Sequence, residues 1–175
     1  MESMIIAGVF GILVVITSYN LLVKSRQRVR NAESQIDVQI QKRFDLVEDM
    51  RDMVKEYAKH ESDVFDNVTT LRTQSKNLHN LDEKIALKNE ADKSLKNMLL
   101  IAEGYPDLRA SQNYLALQES LSDAEQQTAF ARQVYNDSVT MYNTKIEMFP
   151  LNLFAKLFNF KPTNLFEASI HNGRN

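Results

Sequence analysis

The sequence has 175 residues, and its 21 Lys and Arg nearly balance its 23 Asp and Glu, giving a net charge of −2. This balance excludes the global positive field with which many proteins attract nucleic acid, and the absence of cysteine excludes disulfides and thiolate metal sites. Only 4 Gly and 3 Pro occur while 25% of the residues are charged, which favours long helices over a turn-rich β fold.

The first element is an uncharged apolar segment at residues 4–23. About 20 apolar residues in a helix cross the hydrocarbon core of a bilayer, and Tyr19 near one end suits the membrane interface. Only Glu2 is charged ahead of the segment and no A-x-A-like site follows it, which favours an uncleaved anchor over a signal peptide. The sequence therefore predicts a transmembrane anchor at residues 1–23.

A basic cluster follows the apolar segment and precedes the first acid beyond it; it consists of Lys24, Arg26, Arg28 and Arg30. Lys and Arg accumulate on the cytoplasmic flank of a membrane span. We therefore expect a single-pass bacterial membrane protein with its N-terminus outside and the rest in the cytoplasm. The cluster could also bind anionic lipid head groups, but setting the topology is the favoured interpretation.

A long amphipathic helix continues from the anchor. Apolar residues recur every seven positions from Val29 onward in two rows four residues apart, which is typical of a bundle-forming helix. Because residues 24–80 contain no Pro or Gly, the pattern predicts one helix to about residue 77. Its inward-facing positions include Ile36, Ile40, Val47 and Val54.

A second helix is predicted over residues 80–104, with Asn80 as its cap. Lys88 and Asp92 interrupt its apolar stripe but can pair with each other at a spacing of four residues. Gly104 and Pro106 end this helix, because Gly weakens a helix and Pro cannot continue one.

The third predicted helix, residues 107–148, carries a Tyr-Asn pair that returns after seven residues. Tyr135, Tyr142 and Phe149 fall on one row that faces the bundle with Leu121, and two amides lie at the edge of that row. There Asn136 and Asn143 can bond another helix or water. This bundle seam is favoured over the alternative, a dedicated ligand site built from the Tyr-Asn repeat.

Pro150 breaks the third helix, and LNLFAKLFNF at residues 151–160 predicts a short fourth one. Its face of Leu151, Phe154, Leu157 and Phe158 is expected to cap the bundle. The alternative is an interfacial helix on the membrane, less favoured because only Lys156 and Lys161 are basic there. The expected fold is all-α: an N-terminal transmembrane helix continuing into an elongated three-to-four-helix antiparallel bundle over residues 24–166, then a flexible tail at 167–175.

Four segments together resemble the LemA family over nearly the whole chain: IDVQIQKRFDLVEDM at 36–50, KEYAKHE at 55–61, AEGYPDLRAS at 102–111 and ARQVYNDSVTMYNTKIEMFPLNLFAKLFNF at 131–160. The resemblance implies a single N-terminal span, an outside N-terminus and a cytoplasmic helical bundle. It implies no agreed biochemical activity; genes of the family often neighbour those of membrane proteins and membrane proteases, and some members belong to magnetosome membranes. One departure is Glu48-Asp49 where the family usually has Pro-Asn, which predicts a straighter first helix near residue 48.

No catalytic, cofactor or metal site is predicted. His60-Glu61 resembles the start of a zinc motif, but residue 64 is Val where the second ligand should stand. Glu56 and His60 share a helix face, and Arg43 and Glu61 lie on the inward stripe of the first helix. These four residues are therefore the possible partner contacts, although solvated or bundle-edge charges are the favoured interpretation.

The function predicted from these features is that of a non-enzymatic membrane-anchored scaffold or adaptor, which organises or recruits membrane-associated partners. Two alternatives stay open: an accessory subunit regulating a membrane protease or transporter, and a self-assembling protein of a specialised membrane such as a magnetosome. The expected partners are the membrane and membrane proteins or a second copy of the chain, with no nucleic acid and no small-molecule substrate.

Overall fold

The computed structural model describes residues 1–58, 66–75 and 81–166, and over those residues it consists of α-helices without strands. The helices are α1 (Glu2–Tyr57), α2 (Asp66–Ser75), α3 (Leu81–Ala102), α4 (Pro106–Ala110), α5 (Gln112–Glu147) and α6 (Leu151–Leu157). The predicted all-α class is confirmed. The chain forms two compact units: Met1–Ile36 with the residues from Phe130 onward, and Asp37–Ala129.

Helix α1 joins the apolar segment to the amphipathic stripe without a break, as predicted. It ends at Tyr57, however, and α2 is a separate helix that begins at Asp66. The predicted single helix to residue 77 is therefore wrong.

Helix α2 lies back against α1. The Arg72 guanidinium is 3.0 Å from the Asp45 carboxylate and 2.6 Å from that of Glu48, although a straight helix would separate residues 45 and 72 by about 40 Å. Folding back buries Val68 and Leu71. A solitary helix would leave that stripe in water, so the burial of apolar surface favours the return.

Helix α3 runs parallel to α1, because residue numbers rise together along both helices at their contacts. The Lys84 ammonium lies 2.7 Å from the Asp37 carboxylate, and the Arg43 guanidinium lies 2.6 Å from Asp92. The second predicted helix was expected to run antiparallel to the first; α2 makes that return instead. The predicted Lys88–Asp92 pair is confirmed at 2.9 Å.

The predicted helix over 107–148 is broken at Ser111. Pro106 opens the short helix α4, which places Leu108 in the core. Ser111 then has extended backbone (φ −70°, ψ 139°), and its Oγ accepts the Tyr114 N–H at 3.2 Å. That bond caps the N-terminus of α5, so a polar side chain rather than Gly or Pro sets this boundary.

The described residues of the Asp37–Ala129 unit form an apolar core, to which α1, α2, α3, α4 and α5 all contribute. Its buried members are Val47, Met50, Val54, Ala58, Val68, Leu95, Met98, Ala102, Leu108, Tyr114, Leu117 and Leu121.

Helix α6 begins after Pro150, as predicted, but its apolar face is not the one expected. Ala155 is buried, whereas Leu157 and Phe158 are exposed. The prediction that both of these side chains cap the bundle is wrong. Phe149 is 78% exposed and does not join the seam, because α5 ends at Glu147 and the helical row stops there.

A Schellman motif ends α6. The Phe160 N–H donates to the Ala155 carbonyl at 2.8 Å, and the Asn159 N–H donates to the Lys156 carbonyl at 3.3 Å. This pattern requires a left-handed residue just past the helix, which Asn159 supplies with φ 56°. The chain then continues as a segment without regular secondary structure, residues 161–166, which we call the strap.

Candidate functional site

The repeated Tyr-Asn pairs of α5 bind the strap through its main chain. The hydroxyl of Tyr142 donates to the Lys161 carbonyl at 2.9 Å, and that of Tyr135 donates to the Asn164 carbonyl at 3.1 Å. Both tyrosine side chains are buried. Burying a hydroxyl is costly unless it is hydrogen-bonded, so the strap carbonyls complete this face of the helix.

The two asparagine amides each form a pair of hydrogen bonds with one strap residue. Asn143 accepts the Thr163 N–H at 3.0 Å and donates to the Thr163 carbonyl at 2.8 Å. Asn136 accepts the Phe166 N–H at 2.8 Å and donates to its carbonyl at 3.4 Å. An amide that uses both its donor and its acceptor on one residue imitates the pairing of an antiparallel strand.

The spacing of the repeat matches the spacing of the strap. Seven residues of α-helix rise about 10.5 Å, and three residues of extended chain cover about 10 Å. The contacts of both Asn residues and of both Tyr residues therefore recur every seven positions on α5 and every three on the strap. This relation answers why an aromatic-amide pair returns after seven residues. We call the four side chains the Tyr-Asn ladder.

Aromatic side chains hold the two ends of the strap. The Arg132 guanidinium lies 4.6 Å from the centre of the buried Phe166 ring. Before the strap begins, Phe160 is buried, and the Arg26 guanidinium lies 4.9 Å from its ring centre. Cation–π contacts of this kind contribute about 0.5–1 kcal/mol at exposed sites, and here they favour one position of the strap along α5.

The electrostatics of the ladder favour a neutral Tyr142. Burial raises the pKa of Tyr142 above its ordinary value of 10.0, and the nearby positive charge of Arg26 opposes part of that rise. Close by, the Lys145 ammonium donates to the Ser25 hydroxyl at 2.7 Å and ties α5 to α1. Tyr142 therefore binds the main chain as a neutral hydroxyl.

Seven of the ten residues predicted to form the bundle seam are buried: Ile36, Ile40, Val47, Val54, Leu121, Tyr135 and Tyr142. Asn136 and Asn143 are half-buried, and Phe149 is exposed. The amides of Asn136 and Asn143 were expected to bond another helix or water, and they bond the strap instead.

Arg43 forms ion pairs with residues of two other helices in its unit. Its guanidinium contacts Asp92 at 2.6 Å and Glu125 at 2.7 Å, and the Lys88 ammonium lies 3.4 Å from the Glu125 carboxylate. The Arg43 side chain is buried. Its guanidinium is engaged in ion pairs within the unit, and its role as a partner contact stays a prediction.

Glu56 is exposed and lines a cleft of about 460 Å³ near the C-terminal end of α1, together with Asp49, Asp52, Met53, Tyr57, Ser111 and Asn113. His60 and Glu61, the other possible partner contacts, lie outside the described residues. Within the described part of the chain, no group of three or more His, Cys, Asp and Glu side chains could hold a metal ion.

The basic cluster lies on the surface: Lys24, Arg26, Arg28 and Arg30 are all exposed. Tyr19, the predicted interfacial residue, packs edge to face on Phe158 with ring centres 5.0 Å apart. In the described residues, α1 is the one helix long and apolar enough to cross a membrane.

Sequence patterns did not identify the strap residues as part of the site. Thr163 and Phe166 bind through their main chain, which every residue possesses, and Arg132 is one of 21 Lys and Arg residues in the sequence. The sequence feature that could have indicated the strap is the Tyr-Asn repeat. A tyrosine followed by an amide, recurring after seven residues, indicates a binding partner whose hydrogen-bonding groups are also regularly spaced.

Comparison with known proteins places the chain in context. The LemA family model matches residues 32–175. Protein LemA of Metamycoplasma hominis is 26% identical over 151 residues, which cover 86% of this chain and 69% of that protein.

Magnetosome protein MamQ 2 of Paramagnetospirillum magneticum is 28% identical over 74 residues, and magnetosome protein MamQ of Magnetospirillum gryphiswaldense is 30% identical over 73. Each match covers 42% of this chain and only 27% of the relative. With the apolar helix α1, these similarities describe a membrane-associated helical protein of bacterial type, in a family that is not known for an enzymatic activity. Because the family model covers most of its length, the chain belongs to the LemA family.

Proposed function

We propose that this protein is a non-enzymatic, membrane-anchored helical scaffold that recruits membrane-associated partners. The observation that supports this most directly is the continuity of α1, which begins at Glu2, includes the whole apolar segment and runs unbroken to Tyr57 beside the acidic cleft. A partner bound to the surface of α1 is thereby held at the membrane, because that surface and the apolar segment belong to one continuous helix.

The exposed basic cluster supports the orientation that we propose. Because Lys24, Arg26, Arg28 and Arg30 flank the apolar segment, we place the helical units in the cytoplasm. The chain lacks cysteine, so single substitutions can report topology. We expect a membrane-impermeant maleimide to label Ser3→Cys in intact cells with a permeable outer envelope, and to label Ser120→Cys only after lysis. The reverse pattern would refute the orientation.

Crosslinking mass spectrometry on membranes with native protein levels tests recruitment. Lys42 and Lys55 are exposed on α1, and we expect crosslinks from them to a membrane protein. The Lys42→Arg/Lys55→Arg variant keeps both charges and is the matched control, because the amine-reactive groups are lost. Adducts with one protease or transporter would identify the accessory-subunit form of this function. Monomer without adducts would refute the scaffold.

A second candidate function, self-assembly on a specialised membrane, is favoured by the similarity to proteins named as magnetosome proteins. It predicts crosslinks solely between copies of this chain, together with deformation of vesicles at high protein density. Undeformed vesicles would count against it.

A further inference from the structure

We infer that the corner formed by the end of α5 and by α6 inserts into the membrane interface beside the transmembrane part of α1. This α6 corner comprises Met148, Phe149, Leu153, Leu157 and Phe158, and its partner is the lipid surface itself. The inference rests on the membrane anchoring of the proposed function and adds a second, lateral contact with the bilayer.

The first supporting observation is an apolar surface stripe. Phe149, Leu153 and Leu157 recur at every fourth position and are all exposed, with Leu157 at 72%. The opposite side of α6 is buried at Ala155. An apolar stripe of this kind on a helix end typically marks an interaction surface.

The second observation fixes the depth of the corner. The Phe158 ring lies 5.0 Å from the Tyr19 ring, and the Phe160 ring lies 6.0 Å from it. Tyr19 stands near the end of the apolar segment, at the level where tyrosines collect in the headgroup region. The corner therefore lies beside the point at which α1 leaves the hydrocarbon.

The third observation is the length of α1 that the rest of the protein leaves unburied. None of residues 1–17 is buried, whereas Ser18 and Leu22 are. Residues 4–17 cover only about 21 Å of helix, short of the roughly 30 Å hydrocarbon core. Residues 18–23 must supply the rest, and the α6 corner packs beside that portion. The bilayer that covers the whole apolar segment therefore reaches the corner.

The charges near the corner suit the same environment. Lys156 on α6 and Lys161 at the start of the strap are exposed. Lysines next to an apolar stripe can extend their ammonium groups to anionic head groups while the alkyl stems stay in the interface.

Tryptophan fluorescence in vesicles tests this inference on the full chain, which contains no Trp of its own. Phe149→Trp reports the corner and Phe10→Trp reports the span. The matched control is Phe130→Trp, because Phe130 is 61% exposed on α5 and lies about 26 Å along the helix from Glu147. Each variant is reconstituted in phosphatidylcholine–phosphatidylglycerol vesicles with or without brominated acyl chains.

We expect bromolipid to quench Phe149→Trp within about twofold of Phe10→Trp, and to leave Phe130→Trp unquenched but accessible to iodide. If Phe149→Trp behaves like Phe130→Trp while Phe10→Trp is quenched, the inference fails and the anchor stands. If Phe10→Trp is also unquenched, both fail. Blue-shifted emission from Phe149→Trp that bromolipid does not quench would indicate a second copy over the corner and would equally overturn the lipid contact.

Discussion

At the scale of single residues, Asn136 and Asn143 give the strap the hydrogen bonds that it would otherwise take from a neighbouring strand. Each amide binds the N–H and the carbonyl of one strap residue. These main-chain contacts do not depend on which side chains the strap carries. Phe166 is the one strap residue whose side chain is buried, so its ring supplies the side-chain specificity.

Asn143→Ala should release the strap. The substitution removes two hydrogen bonds and leaves the Thr163 amide without its partner, which costs about 1–3 kcal/mol. Hydrogen exchange of the Thr163 amide should therefore speed up by about fivefold or more, measured by mass spectrometry or NMR in detergent. The exposed Asn97 of α3 supplies the control: Asn97→Ala should leave exchange of the strap unchanged. Equal exchange in the two variants would refute the role of the ladder.

Tyr142 should make stability fall at high pH. Burial raises its folded pKa above the unfolded value of 10.0, so above pH 10 the unfolded state binds fewer protons than the folded state. The free energy of unfolding is then undiminished below pH 10 and decreases as pH rises past it. Urea titrations from pH 8 to pH 11 should show a shallower decrease for Tyr142→Phe. Part of the slope should persist, because burial also raises the pKa of Tyr114; an unchanged slope would refute the assignment.

At the scale of secondary-structure elements, Glu48 helps to set the position of α2. Its carboxylate lies 2.6 Å from the Arg72 guanidinium of α2, and α1 continues unbroken through it. Glu48 thus forms an ion pair between two helices and keeps a backbone N–H in α1, which the Pro expected from the family resemblance would remove.

Glu48→Ala should loosen α2 selectively. The lost pair is partly buried, so we expect a cost of about 1 kcal/mol and a several-fold faster hydrogen exchange in α2 than in α3. The neighbouring surface carboxylate of Asp52, which pairs with Arg51, provides the comparison. Asp52→Ala should leave α2 unaffected, and matching effects from the two variants would contradict the role of Glu48.

Asn159 should accept only residues that tolerate its left-handed backbone. At φ 56°, Asn159→Ala should lower the free energy of unfolding by about 1 kcal/mol, whereas Asn159→Gly should leave it nearly unchanged. Chemical denaturation of the two variants in the same detergent distinguishes these outcomes. Equal stabilities would show that the motif does not depend on this conformation.

The elements differ in how far the sequence predicts them. The start of α6 followed from Pro150, and the continuity of α1 beyond the apolar segment followed from the lack of Gly or Pro after residue 23. The return of α2 could not be predicted, because a seven-residue repeat reads the same whether a helix continues or folds back, and no Gly or Pro lies between residue 23 and Asp66. The strap was missed because residues 161–166 have no period and bind through main chain.

At the scale of the whole molecule, the membrane segment and the folded units share part of α1. The predicted boundary of the anchor at residue 23 stays a prediction, but Ser18 and Leu22 are already buried by protein. Residues 18–23 therefore serve both the apolar segment and the packing of the first unit.

Two truncations should separate these roles. Deleting residues 1–17 removes only unburied residues, so thermal unfolding in detergent should stay within a few degrees of the full chain. Deleting residues 1–23 also removes Leu22 and the Tyr19–Phe158 contact, and should cost about 2–5 kcal/mol. Circular dichroism melts measure both, and equal melting temperatures would show that residues 18–23 add nothing to folding.

The ladder also has a consequence for how this region can change over evolution. Seven residues of α5 and three residues of the strap cover nearly the same distance. The strap can therefore pair with the ladder in one register. Replacing the side chain of Thr163 or Asn164 leaves the main-chain contacts available. One residue inserted between Thr163 and Phe166 would instead shift Phe166 away from Asn136 while Thr163 stays paired with Asn143. Related chains should therefore vary freely in composition here while conserving the distance between these two positions.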